Sequence, residues 1–358
     1  MRLSNVCRVV LAATFGVAVH ATAARAQVTV GGVAYLQYGY GLKGDSSLVA
    51  STGSAGHDNN FDVTRAYVNV LGKFANGVQT RITTDVDGRK AAANQLTIRL
   101  KYAYVGWTPQ GSALTFKTGL FTTPWIDYEE AVWGYRMQGT TLFDRTSFFS
   151  SSDFGLGADG SWNKDQVNMQ VGVFDGEGYS NAPGDPGKDL EGRVSLRVAN
   201  TDLGGRVGGL RLTGYGQVGK ATGGGSRNRF IGEISYKSKT VTLAGEYGVR
   251  QDSTGVHTPK QKGAAYGVYG VYNIPNSKAA IIARFEAFDP NTDSTSNSTT
   301  VGVTSIDKQT RIIAGISYAI APNLTVLLDV DQTSLQYGST NAFDVANKNL
   351  YFTTQFTF

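Results

Sequence analysis

The sequence predicts an all-β fold, a closed antiparallel transmembrane β-barrel of sixteen strands with a long third loop folded inward. Three observations carry this expectation. Apolar and polar residues alternate with period two along most of the chain, the signature of strands with one apolar face. The connections alternate between long and short, as they do when loops crowd one rim of a barrel and tight turns the other. The chain of 358 residues is also rich in glycine (45), tyrosine (18) and phenylalanine (17), and holds only one cysteine. With 17% charged residues and 41% hydrophobic residues it does not fit a disordered chain.

The alternation is clearest in four segments. From Arg65 onward, Ala66, Val68, Val70, Gly72 and Phe74 oppose Arg65, Tyr67, Asn69 and Lys73. Next, Val78, Ile82 and Val86 oppose Gln79, Arg81, Asp85 and Asp87. Leu96, Ile98, Leu100, Tyr102 and Tyr104 then oppose Thr97, Arg99 and Lys101. Further on, Leu190, Val194, Leu196 and Val198 oppose Glu191, Arg193 and Arg197. Sixteen such segments are expected near 28–40, 61–74, 77–87, 96–108, 112–121, 151–162, 166–175, 189–199, 209–220, 227–238, 240–250, 263–273, 279–288, 307–320, 324–335 and 349–358. The segment 263–273 alternates poorly. Residues 109–111, 163–165 and 321–323 read as tight periplasmic turns, while 41–60 and 122–150 read as long loops. Connections 200–208 and 221–226 break the long–short trend.

Lipid offers no hydrogen bonds, so a spanning sheet must close on itself, with its apolar face outward and its polar face lining water. A soluble β-sandwich would alternate too, with the apolar face as its core. Strands near ten residues with arginine on many polar faces favour the barrel. The last residues, Leu350, Phe352, Phe356 and Phe358, alternate toward a terminal aromatic, as the final strand of an outer-membrane barrel would.

Residues 1–26 read as a secretory signal peptide. Arg2 and Arg8 precede an apolar run over 9–19, and Ala24, Arg25 and Ala26 form an A-x-A cleavage site. The expected mature barrel domain is 27–358. Cleavage removes three arginines and no acid, so 33 basic residues fall to 30 against 28 acidic ones and the net charge falls from +5 to +2. It also removes Cys7 and His20, leaving an exported protein without thiols.

Within this pattern the chain resembles the outer-membrane porins, more narrowly the phosphate-selective porin O and P family. Three stretches carry the resemblance: Phe61-Asp62-Val63-Thr64-Arg65-Ala66-Tyr67, Leu100-Lys101-Tyr102-Ala103-Tyr104-Val105-Gly106, and Thr118-Gly119-Leu120-Phe121-Thr122-Thr123-Pro124-Trp125, which returns through Ser152-Asp153-Phe154-Gly155. The resemblance implies a sixteen-stranded homotrimer in the outer membrane of a Gram-negative-type cell, a third loop folded into the pore and basic residues lining it. More weakly, it implies phosphate as solute. No single binding position of that family is matched to a residue here.

Alternation assigns fifteen basic side chains to the lumen: Arg65, Lys73, Arg81, Arg99, Lys101, Lys117, Arg193, Arg197, Arg211, Arg227, Arg229, Lys237, Arg250, Arg284 and Arg311. Ten acidic ones share that face: Asp85, Asp87, Asp159, Glu191, Glu233, Glu246, Glu286, Asp307, Asp329 and Asp331. A basic excess lowers the barrier to anions. The other reading is that these rows pair across the wall and only brace it. The loop 122–150 is the expected constriction, with Asp127, Glu129, Glu130 and Arg136 facing wall arginines. Its other reading is an external surface loop.

The expected function is a passive channel for small hydrophilic solutes, small anions first, with outer-membrane lipid as the other partner. A non-selective general diffusion porin, an outer-membrane enzyme and a structural adhesin barrel are the alternatives. Catalysis is not expected. His57 and His257 lie in loops beside Gly and Thr, without an orienting acid. Gly155 to Gly160 spells G-x-G-x-x-G, but a strand end and turn follow it rather than a helix. Asp289, Asn291 and Asp293 are spaced like a calcium loop that lacks its Gly and distal Glu. No cofactor, metal cluster or nucleic-acid patch is readable.

Overall fold

The fold is taken from a computed structural model that describes residues 27–44, 59–87, 96–181, 184, 186–221, 224–253, 255, 259–293, 306–337 and 344–358. The expected signal peptide, His57 and His257 lie outside the described residues, as do the side chains of Asp87 and Asp307.

Sixteen strands form one closed sheet: β1 (Gln27–Gly44), β2 (Asn59–Lys73), β3 (Val78–Asp87), β4 (Thr97–Trp107), β5 (Leu114–Thr122), β6 (Ser152–Trp162), β7 (Val167–Phe174) and β8 (Asp189–Ala199). The second half is β9 (Gly209–Ala221), β10 (Gly225–Lys237), β11 (Val241–Asp252), β12 (Gln261–Asn273), β13 (Ala279–Asp289), β14 (Ile306–Ala321), β15 (Leu324–Tyr337) and β16 (Asp344–Thr357). Each strand pairs antiparallel with its sequence neighbours, and β1 closes the ring on β16 through Val33 opposite Thr357 and Tyr38 opposite Phe352. The seam is fastened at the C-terminus. Gly32 donates to the Phe358 oxygen at 2.9 Å and Phe358 donates back at 3.1 Å. A Cβ on Gly32 would stand 2.5 Å from the Phe358 ring, so this closure needs glycine.

The outward face is the apolar one throughout. Ile98, Val194, Val218, Leu243 and Ile312 are each at least half exposed, the opposite of a soluble core. Aromatic residues gather where strands meet tight turns: Trp107, Phe116, Trp162, Tyr236, Tyr272, Tyr318 and Phe356. Such a belt is expected where an apolar band meets a membrane interface. The turns use the residues that positive φ favours, including Asn76 with Gly77, Asn163, and Asn276.

Two strands depart from simple alternation, each for a visible reason. In β4, Tyr102 pairs with Thr83 and Leu100 with Thr84, so Lys101 is a one-residue bulge. A bulge inverts the phase of everything after it. Tyr102 and Tyr104 therefore turn inward, against Arg81 and Lys117, and do not share the outward face of Leu100. Val105 and Trp107 take the outward positions instead. In β12 both faces are apolar. Tyr266, Val268 and Tyr272 are exposed outward, while Ala265, Tyr269 and Val271 are buried. The buried set packs under the segment after β5, and this is why 263–273 hardly alternates.

That segment carries two short helices, α1 (Ile126–Trp133) and α2 (Leu142–Arg145), joined through a 3₁₀ turn at Arg136–Gln138. Tyr128, Val132, Trp133 and Met137 form one buried cluster with Tyr35, Ala244, Tyr269, Val271, Ile282 and Leu327. These partners come from β1, β11, β12, β13 and β15, strands far from β5 and β6 in the barrel order. A second cluster joins Trp125, Leu142, Phe143 and Phe148 to Tyr215, Ile231 and Ala265.

Candidate functional site

The segment between β5 and β6 is held to the polar face of the wall by hydrogen bonds from end to end. The Tyr128 hydroxyl meets Ser195 Oγ at 2.9 Å and accepts from Thr213 Oγ1 at 3.0 Å. Lys237 Nζ donates to the Ala131 and Val132 oxygens at 2.7 and 2.6 Å, capping the last turn of α1. A cation there answers the negative end of the helix dipole. Tyr135 meets Ser317 at 2.7 Å, and Arg145 ion-pairs with Glu286 and donates to Gln309 at 2.8 Å. At the other end, Lys101 donates to Ser151 Oγ at 3.0 Å.

This packing divides the charges of the polar face into two groups. Beneath the segment and the 200–208 connection, Arg193, Arg211, Arg229 and Arg284 are covered, each 5% exposed or less. They point inward as alternation requires, but almost none of their surface is open to water. Arg211 spends itself on the Gly205, Gly208 and Asp165 oxygens. Arg229 pairs with Asp252 and donates to the Phe148 oxygen at 2.5 Å. Glu129, expected to face the passage, is turned the other way and is fully buried against Arg284 at 3.6 Å.

The second group lies at the free edge of the segment and on β2 to β5. Arg65 and Arg99 share Asp85, at 2.6 and 3.2 Å. Arg81 donates to Asn69 and Thr83 at 2.9 and 3.0 Å and lies 4.3 Å over the Tyr102 ring. Lys117 pairs with Asp159. Opposite them, Glu130 accepts from Arg136 at 2.7 Å and Asp127 from Arg206 at 2.6 Å. Burial would raise the Asp127 carboxyl, but Arg206, with Lys117 and Arg81 in reach, holds it below the ordinary carboxylate range. Burial pushes Glu130 up, only partly offset by Arg136 and Lys101. With Asp144 included, seven basic side chains face five acidic ones here among the described residues, an excess of two.

The remaining expected residues lie apart from this edge. Lys73 is exposed at the end of β2. Arg197 donates to the Lys164 oxygen at 2.8 Å beside a turn, and Arg311 pairs with Asp331 on the adjacent strand. Gly155 to Gly160 lies wholly inside β6, with no helix after it, so it is wall and not a nucleotide loop. Arg206, from the connection 200–208, is a participant that alternation could not find, because it stands outside any strand. Its only sequence signal was the unusual length of that connection.

No family model matches the chain, and no curated protein matches it. Solved structures match its fold. The chain is similar to an anion-selective porin from Comamonas acidovorans at 10% identity and a TM-score of 0.65, covering 93% of this chain and 100% of that one. It is similar to the outer membrane channel DcaP of Acinetobacter baumannii at 10% identity and a TM-score of 0.65, covering 93% and 97%. It is also similar to OmpF of Salmonella typhi at 12% identity and a TM-score of 0.65, covering 92% and 97%. The protein thus has the closed sixteen-stranded antiparallel barrel fold found in outer-membrane porins. At these identities the likeness is one of fold.

Proposed function

We propose that the protein is an outer-membrane porin, a passive diffusion channel for small hydrophilic solutes with a preference for anions, phosphate among them. In this reading it is exported by a signal peptide cleaved after Ala26 and assembles as a homotrimer. The segment 123–151 narrows the lumen, and solutes pass between its free edge and the wall of β2 to β5. The observation that carries the reading is the charge at that edge. Arg65, Arg81, Arg99 and Lys101 stand together on adjoining strands, Arg65 and Arg99 both reaching Asp85 and Arg81 held by neutral partners. Fixed positive charge in a narrow aqueous passage favours anions and raises the barrier to cations.

A non-selective channel is the second reading, favoured by the carboxylate partners of Arg65, Arg99, Lys117, Arg229 and Arg311, which brace the wall as cross-strand pairs do. One measurement separates the two. The purified protein in planar bilayers under a potassium chloride gradient should give a reversal potential toward that of chloride, and added phosphate should lower the chloride current. A reversal potential near zero supports the unselective channel, and a cation-directed one overturns the anion reading.

A further inference from the structure

The connection between β8 and β9, residues 200–208, is the longest at the turn end of the barrel, and it folds inward from the rim. Arg206 Nη1 lies 2.6 Å from Asp127 Oδ2, and its Nη2 donates to the Asp127 backbone oxygen at 2.9 Å. The Arg206 oxygen accepts from Asn168 Nδ2 at 3.0 Å. Two inward segments therefore meet, one from each end of the barrel. Between them and the wall of β5 to β8 lies a recess of about 170 Å³, many times what a single water needs.

The wall of this recess is one row of the sheet. Thr115 stands opposite Asp159, Asp159 opposite Gln170, and Gln170 opposite Arg193. Facing residues in antiparallel strands project to the same side. Two of them keep bonding capacity that the described residues do not use. Arg193, 2% exposed and 4.3 Å over the Tyr128 ring, donates Nε to the Pro124 oxygen at 2.9 Å and Nη1 to Asn168 Oδ1 at 2.8 Å. Its Nη2 makes no hydrogen bond among the described residues. Asp159 receives Lys117 on Oδ2, while its Oδ1 is buried without a donor among the described residues.

We propose that this recess is a solute-binding subsite on the turn side of the narrowing segment. Its ligand is a small molecule carrying a carboxylate and, beside it, an ammonium or hydroxyl donor. The carboxylate faces Arg193 Nη2 and Arg206, and the donor faces Asp159 Oδ1. The local charges balance, with Arg193, Arg206 and Lys117 against Asp127, Asp159 and Asp165, so a bare anion gains little here. A molecule with both poles satisfies both unused groups at once. The inference rests on the channel reading, since solute reaches the recess through the lumen.

The test is conductance of the full protein in planar bilayers, with alanine, lactate or acetate added. Alanine or lactate should lower the potassium chloride current saturably, with an apparent affinity about tenfold tighter than acetate, the worth of one charge-assisted hydrogen bond. Block by alanine alone identifies an ammonium donor, and block by lactate alone a hydroxyl. Asp159→Asn should erase the advantage over acetate. Arg206→Gln, in an exposed connection that the barrel does not need in order to close, should weaken block about tenfold. Equal block by all three solutes, or unchanged block in both variants, overturns the subsite. A protein that conducts no ions refutes the channel reading itself, whereas one that conducts without block by alanine or lactate refutes only the subsite.

Discussion

Arg284 and Glu129 meet inside the barrel, Nη2 to Oε1 at 3.6 Å, and both are sealed from water. The same guanidinium holds Glu286 at 2.5 Å and reaches Glu246 at 3.8 Å. Arg145 adds a second cation on Glu286, and the Tyr269 hydroxyl donates to nearby Glu233 at 3.0 Å. Three buried carboxylates thus share two guanidinium groups where α1 meets the wall, with Glu233 beside them. Burial pushes the Glu129 carboxyl up from 4.5 to about 8, against the pull of Arg284 and with Glu233 and Glu286 adding to the rise.

A pH dependence follows from that rise. A carboxyl whose folded value is raised gives stability that is complete below the unfolded value of 4.5 and is lost as pH climbs to about 8. The grip of α1 on the wall should therefore weaken from pH 5 to pH 8.5. Glu129→Gln removes the titration and should flatten the curve, changing the difference between the two pH values by at least about 1.4 kcal/mol, the worth of one pKa unit. Thermal unfolding of both proteins at the two pH values reads this directly. Parallel curves would contradict it.

The barrel was legible because lipid on one side and water on the other impose a rule on every second residue. All sixteen strands appear where the alternation places them. The rule carries no information on what covers the inner face. Val271 and Ile282 are apolar and inward because α1 and its flanks lie on them, and alternation had no reason to expect that. Arg211, under the 200–208 connection, and Glu129, on the wall side of α1, likewise looked like passage residues and are buried ones. The bulge at Lys101 was invisible because a single extra residue changes the phase without changing composition.

Lys237 supplies a separate test of the inward segment. Its ammonium caps the Ala131 and Val132 oxygens just before Gly134, which ends α1 at φ 77°. Lys237→Ala leaves those carbonyls without a partner and should loosen α1 by about 1–2 kcal/mol, the upper range for a cation at a helix C-terminus. Limited proteolysis should then cut within 126–138 while the strands resist. Unchanged resistance there would show that the apolar cluster alone holds the helix.

Asp127 and Arg206 are each 38% exposed, so their ion pair is worth at most about 1 kcal/mol and Asp127→Asn should unfold at nearly the native temperature. Its electrical effect should be larger than its structural one. It removes an acid from the edge and releases Arg206 into the passage. The reversal potential should move further toward anions. A shift toward cations would place Asp127 outside the conducting path.

The decisive prediction concerns the three cations of β3 and β4. Arg81 has no carboxylate partner among the described residues and is steadied by Asn69, Thr83 and the Tyr102 ring. Arg99 and Arg65 both reach Asp85, at 3.2 and 2.6 Å. Lys101, turned inward at its bulge, is bonded to Ser151 where the segment rejoins the wall. Outward, an arginine near the bilayer midplane would cost about 2–4 kcal/mol, which fixes the direction these strands present. Inward, each charge acts over roughly 8 Å at physiological salt, so neighbours on adjoining strands reinforce one another. Replacing Arg81, Arg99 and Lys101 together by glutamine removes three positive charges from an edge whose excess among the described residues is two. The sign of selectivity should therefore reverse toward cations, while circular dichroism shows the strand content unchanged. If the triple variant keeps an anion-directed reversal potential, selectivity resides elsewhere in the lumen and these residues only brace the wall.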